Sequence, residues 1–173
     1  PWPGMLQTVY GNDERFIEEY WQRFSDTDSD DWRDWTYEAG DGAVREDDGY
    51  YRILGRLDDV MNVAGHRLGT MEIESAIASV GAVSEPAVAA ADDPEKGTVP
   101  YAFVTLREGV EPTASVRENI ERAVEEEIGP FARPAAIEFV DELPKTRSGK
   151  IMRRLLEDIA NDRELGDTTT LRD

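Results

Sequence analysis

Two apolar runs, Val83 to Ala91 and Val99 to Leu106, stand only a short turn-rich stretch apart, Asp92-Asp93-Pro94-Glu95-Lys96-Gly97. Their length and their Pro and Gly punctuation predict β-strands, and their near-continuous apolarity demands a sheet with at least one covered face. The flanking segments supply the cover. Thr70 to Val80 predicts a helix, with Thr70 as N-cap, Glu72 and Glu74 in the first turn, and Ile73, Ile77 and Val80 on one face; Gly81 ends it. Beyond Pro112, Ser115 and Glu118 have the spacing of a capping box for a helix that reaches Ile128 and stops at Gly129-Pro130. Ile137 to Val140 reads as a third strand, and a last helix follows Lys150 and ends near Ala160. The expectation is an α+β domain, a central β-sheet flanked by helices.

The N-terminal third has a different character. Pro1 to Gly11 holds two prolines and a tryptophan with no starting methionine, and reads as a cut end. Phe16, Ile17, Tyr20, Trp21 and Phe24 recur at helical spacing, so Asp13 to Phe24 is expected to be a helix capped by Asp13. Ser25 to Asp34 reads as an exposed loop. Trp35 to Leu54 predicts a β-hairpin about the turn Glu46-Asp47-Asp48-Gly49.

Charge bounds the partners. The 173 residues carry 38 acidic and 19 basic side chains, a formal charge of −19, with only three lysines, Lys96, Lys145 and Lys150. A field of that sign repels nucleic acid and anionic membranes, so neither is an expected partner. It suits a halophilic cytoplasm, where salt screens self-repulsion and carboxylates maintain solubility; an ordinary acidic protein is the other reading. With no cysteine and one histidine, the chain has no disulfide, no thiolate metal site and no site needing two imidazoles. There is no run of eighteen apolar residues and no charged-then-apolar leader, so a soluble cytoplasmic protein is expected.

Two stretches carry chemistry. From Gly55 to Gly69, Arg56 and Arg67 bracket an Asp58-Asp59 pair, a β-prone run and a reversal at Gly65. Guanidinium groups beside backbone-exposing glycines suit phosphate or ribose recognition; a polar hairpin with surface ion pairs is the plain alternative. Asp41, between two glycines, is ordinarily a turn residue, and alternatively a carboxylate able to accept two hydrogen bonds from a ribose diol. Further on, Lys145, Arg147, Lys150, Arg153 and Arg154 place five positive charges in ten residues without an acid. A lysine at a helix start opposes the helix dipole by ~0.3–1 kcal/mol, so anion binding explains Lys150 better than stability does. Balancing acidic neighbours is the alternative. Ser148-Gly149-Lys150 is not a Walker A loop, because the first glycine of that motif is missing.

Taken together, Tyr37-x-x-Gly40-Asp41, Gly55-Arg-x-Asp-Asp59, Asn62-Val-Ala-Gly-His-Arg-Leu-Gly69 with Glu72-Ile-Glu74, and Pro144-Lys-Thr-Arg-Ser-Gly-Lys150 resemble the adenylate-forming enzymes. Within that superfamily the chain looks most like the AMP-forming acetyl-CoA synthetases. His66-Arg-Leu-Gly-Thr70, Glu127-Ile-Gly-Pro130, Ile151-Met-Arg-Arg154 and Gly166-Asp-Thr-Thr-Thr-Leu171 point to the acetyl and propionyl branch. The resemblance covers the chain except Ser25 to Asp34.

This resemblance implies a ligase that uses ATP with Mg2+, and CoA. Acetate and ATP give acetyl-adenylate and pyrophosphate, and CoA then displaces AMP. It implies that residues 1–57 end a large N-terminal domain, in a hairpin remnant, and that 58–173 form the mobile C-terminal domain, with Asp58 as hinge. Asp41 and Arg56 would bind the ribose of ATP, Arg67 would act near the phosphates, and Lys150 would be the adenylation lysine and a target of reversible acetylation. Ala64, Gly65 and His66 would face CoA. Partners would be the small substrates, the upstream N-terminal domain, and a lysine acetyltransferase and deacetylase. Ala64 stands where these enzymes commonly carry a serine, Glu125 where an arginine is expected to meet CoA phosphate, and Val80 where a histidine marks a cation site, so no metal is assigned. The phosphate loop and the acetate pocket of such enzymes lie upstream, and this chain alone is expected to be inactive. The rivals are a propionyl- or medium-chain ligase, and a non-catalytic interaction module keeping the fold.

Overall fold

The computed structural model describes residues 4–26, 28–57 and 59–172. The chain divides into two compact units, Pro1–Ile53 and Leu54–Asp173. Asp58, the expected hinge, and Trp2, with the prolines beside it, lie outside the described residues.

In the first unit, helix α1 (Asp13–Tyr20) is capped by Asn12, whose side chain accepts the Arg15 amide at 3.1 Å. Asp13 is therefore the first helical residue rather than the cap, and the helix stops before Phe24. Trp21 is buried, edge-on to Trp35 and Tyr37 at 5.9 and 5.4 Å, while Tyr20 stacks on Tyr37 at 5.8 Å. Interlocked aromatic rings thus stand in for an aliphatic core. The Ser25–Asp34 segment includes one helical turn at Trp32–Asp34. Strands β1 (Asp41–Arg45) and β2 (Tyr51–Arg56) pair as a two-stranded sheet. The turn between them closes where the Gly49 amide donates to the Glu46 carbonyl at 2.9 Å.

The second unit is built on the two apolar runs. Strands β5 (Val83–Asp93) and β6 (Gly97–Leu106) form a long antiparallel hairpin, paired in one register from Glu85↔Thr105 to Asp93↔Gly97, with a register shift between Val83 and Glu85. Hairpin β3 (Val60–Val63) and β4 (His66–Gly69) joins the start of β6 through Val63↔Gly97. Strand β7 (Ala136–Phe139) runs parallel to β6 from Tyr101 to Val104. Because side chains alternate along a strand, both faces of this sheet are covered. Helices α2 (Thr70–Ala78) and α3 (Ala114–Glu127) bury Ile73, Ile77, Ile120 and Val124 against Val88 and Val104. On the other face α4 (Arg153–Ala160) brings Leu156, with Leu143, onto Ala87, Ala89 and Phe103. Each fully buried Ile, Leu or Phe contributes about 1.5–3 kcal/mol, so the first face carries most of the stability.

Two further expected caps are corrected. Gly69, not Thr70, is the N-cap of α2, and the Thr70 hydroxyl is buried without a hydrogen bond. Thr113, not Ser115, caps α3, accepting the Val116 amide at 3.4 Å. Lys150 is also not at a helix start, because α4 begins three residues later at Arg153. The dipole argument for its placement therefore lapses.

Candidate functional site

The lysine segment is a small β-turn structure. Lys145 and Ile151 form an antiparallel bridge, Thr146 N–H donates to the Lys150 carbonyl at 2.8 Å, and Gly149 N–H donates to the Thr146 carbonyl at 2.8 Å. Gly149 takes φ +84°, a left-handed conformation that glycine adopts without penalty. The Thr146 hydroxyl accepts the Lys150 amide at 3.1 Å. The backbone of Lys150 is thus fixed on both sides, while its exposed ammonium has no hydrogen bond or ion pair among the described residues.

The basic cluster is not uniformly free. Lys145 Nζ pairs with Glu85 at 2.7 Å, Arg153 with Glu74 and with Asp59, and Arg154 with Asp158 at 3.5 Å. Glu74, whose hydrogen bond is the chief cause, holds the Arg153 guanidinium above its ordinary pKa despite burial. Three of the five charges are therefore structural, and Lys150 and Arg147 are left as exposed cations.

The second candidate is the β3–β4 turn. Ala64 and Gly65 take φ +49° and +86°, both left-handed, as a tight two-residue hairpin turn requires. Ala64 N–H donates to the Lys96 carbonyl at 3.0 Å, tying this turn to the β5–β6 turn. His66 stacks on Phe131, ring centroids 4.3 Å apart. Beside them Lys96, Val99, Glu121, Pro130, Phe131 and Arg133 line a groove of about 380 Å³. Arg133 is held there by Glu121 at 2.5 Å and Glu125 at 3.3 Å. Sequence reasoning missed Lys96, Phe131 and Arg133. Gly129-Pro130 signalled only a helix stop, and nothing local says that the residues after it fold against His66.

Lys150 and the Ala64–His66 turn lie at opposite ends of one hairpin. Lys145 is anchored at Glu85, the turn at Lys96, and the eight residue steps from Glu85 to Asp93 span roughly 26 Å of extended strand. Arg67 pairs with Asn62 across the β3–β4 hairpin and carries an exposed side chain without a partner among the described residues. Arg56 closes β2 and Asp41 opens β1, both exposed. No group of three or more His, Asp or Glu side chains among the described residues is arranged to hold a metal ion. None of the described helices is long and apolar enough to cross a membrane.

Much of the second unit matches a known domain. Residues 72–150 align with the AMP-binding enzyme C-terminal domain. This match covers just under half of the chain. All 173 residues align with the acetyl-coenzyme A synthetase of Pyrobaculum aerophilum at 51% identity, spanning 24% of that protein. The chain thus spans about a quarter of the length of the curated relatives it matches. Among solved structures, the anthranilate CoA ligase AuaEII in complex with anthranoyl-AMP matches with a TM-score of 0.67 at 36% identity, over 74% of this chain and 25% of that one. The ATP-bound RpMatB-BxBclM chimera B1 matches with a TM-score of 0.77 at 25% identity, over 94% of this chain and 30% of that one. The expected family, and the expected sheet flanked by helices, are both borne out.

Proposed function

We propose that this chain acts as the C-terminal part of an AMP-forming acetate:CoA ligase and is inactive without the upstream part. The observation that carries the proposal is 51% identity over all 173 residues to an acetyl-coenzyme A synthetase. In this reading residues 58–173 move as one body about Asp58, residues 1–57 belong to the preceding large domain, and the enzyme works in the cytoplasm.

Each half-reaction uses a different end of the moving domain. In the first, acetate attacks the α-phosphorus of ATP, its carboxylate oxygen forms the new bond, and pyrophosphate leaves. The free Lys150 ammonium offsets charge on the carboxylate and phosphate oxygens, and acetylation of that amine removes the charge. Asp41 and Arg56 bind the ribose, Arg67 acts near the phosphates, and Mg2+ arrives with ATP. In the second, the CoA sulfur attacks the acyl carbon and AMP leaves. Ala64, Gly65 and His66 face CoA, and the adjoining groove offers Lys96 and Arg133 to its phosphates. Arg133 would then supply the guanidinium that Glu125 does not. The roughly 26 Å between the two ends supports this reading, because one fixed pose could not serve both steps.

ATP–pyrophosphate exchange by the protein that contains the upstream part, run across a series of carboxylates, tests the assignment. Exchange strongest with acetate is expected, and the present chain alone should give none. Preference for propionate or a longer acid would move the assignment to the neighbouring ligase, and no exchange with any acid would leave a non-catalytic module.

A further inference from the structure

The lysine loop is completed by a strap that lies later in the chain. Lys145–Thr146 pairs with Lys150–Ile151 on one edge and with the tail on the other: Thr146 bridges Leu171, Arg147 N–H donates to the Thr170 carbonyl at 3.3 Å, and Arg172 N–H donates to the Lys145 carbonyl at 2.8 Å. Three short segments are thereby joined side by side through single β-bridges. A two-stranded hairpin is marginal in water, and a third strand is what ordinarily stabilises one.

The strap is itself held by α4. The Asp158 carboxylate accepts the Gly166 amide at 3.1 Å and pairs with Arg154, and Arg154 donates in turn to the Asp167 carbonyl. Gly166 is packed so closely that a Cβ there would fall 1.7 Å from Arg154 Nη1, so even alanine must displace this guanidinium. The Asp167 carboxylate accepts the Thr169 amide at 2.9 Å, which holds its pKa low.

We propose that Arg154, Asp158 and the strap from Gly166 to Arg172 are positioning elements for Lys150. They dock a third strand against Lys145–Thr146 and so fix where the Lys150 ammonium is presented. None of them need touch substrate. The proposal rests on the reading of Lys150 as the adenylation lysine, since a fixed loop matters most if its tip must meet a charge. Misplacement of a charged group by about 1 Å can cost on the order of a hundredfold in rate.

The test has two parts that fail separately. In the present chain, Gly166→Ala, Asp158→Ala and a chain ending at Leu165 are compared by amide hydrogen exchange. Exchange at Gly149 and Lys150 should accelerate by roughly tenfold or more while the β5–β6 amides keep their protection. Unchanged protection at Gly149 and Lys150 would overturn the proposal whatever Lys150 does. In the ligase that includes the upstream part, the same changes should lower acetate adenylation by roughly tenfold to a hundredfold. They should leave conversion of supplied acetyl-adenylate to acetyl-CoA unchanged, and should have little further effect once Lys150 is alanine. An equal loss in the Lys150→Ala background would overturn the positioning role. Full adenylation by Lys150→Ala would instead sink the reading of Lys150, with the exchange result still deciding whether the strap holds the loop.

Discussion

The guanidinium of Arg153 grips both oxygens of the Glu74 carboxylate, and the two residues stand 79 positions apart in the chain. Arg153 also reaches Asp59 at 3.2 Å and the Val88 carbonyl at 3.3 Å, while Glu74 accepts the Val88 amide at 2.8 Å. Val88 lies on β5, the strand that ends the sheet order, so the pair satisfies backbone groups that would otherwise be an open edge. Asn161 does the same further along, donating to the Ala90 carbonyl at 3.0 Å and accepting the Asp92 amide at 2.7 Å.

Arg153→Ala should therefore destabilise the second unit by about 2–3 kcal/mol, because it strands a shielded carboxylate and reopens the edge. Arg153→Lys should not restore it, since an ammonium cannot make the forked contact. The folded pKa of Arg153 is raised, so its contribution is complete below the unfolded arginine value and is lost only as pH rises through the folded one. Thermal melts should show a penalty that stays constant across neutral pH. A penalty confined to acid would contradict this account.

Ala64 holds a left-handed conformation that costs an L-residue about 1–2 kcal/mol. Ala64→Asn should raise the melting temperature, by roughly 4 °C for 1 kcal/mol in a unit of this size. Gly65→Ala should lower it for the same reason, since nothing lies within 4 Å of the added methyl and only the backbone objects. Paired melts of the two variants check the signs.

Lys150→Ala in the ligase that includes the upstream part should reduce acetate adenylation by about two to three orders of magnitude, as expected for one preorganised electrostatic stabiliser. Supplied acetyl-adenylate should still be converted to acetyl-CoA at a near-normal rate. Parallel loss of both half-reactions in a folded variant would show that Lys150 is not specific to adenylation.

A charge of −19 predicts that the chain gains stability as KCl is raised toward molar concentration, because carboxylate repulsion is screened within a few ångströms. Circular dichroism melts across a salt series measure it. A melting point indifferent to salt would remove the halophile reading.

Elements with a strong period were legible in the sequence. The β5 and β6 runs, the apolar face of α2 and the Asp-Gly hairpin all follow from local composition. The caps were not legible, because Thr70 and Ser115 are good capping residues displaced by one or two positions, and burial of the Thr70 methyl in the core decides the matter. The motifs exposed Lys150, Arg67 and the Ala64–His66 turn. They could not separate free cations from paired ones: Arg153 looks no different from Lys150 until Glu74 and Asp59 arrive from distant parts of the chain. The strap was read only as a family signature, since short non-local backbone pairing leaves no periodic trace.

The two faces of the central sheet are unequally insulated from water. Beneath α2 and α3 lie branched side chains in depth, whereas α4 rests largely on Ala87, Ala89 and the ring of Phe103. Small residues let α4 approach closely, but they contribute little burial of their own. The lysine loop and its strap therefore sit on the thinner of the two layers. Brief sub-global unfolding would release residues from about 143 onward while the sheet and its other helices stay intact. The backbone around Lys150 would then become extended and accessible without unfolding of the whole domain.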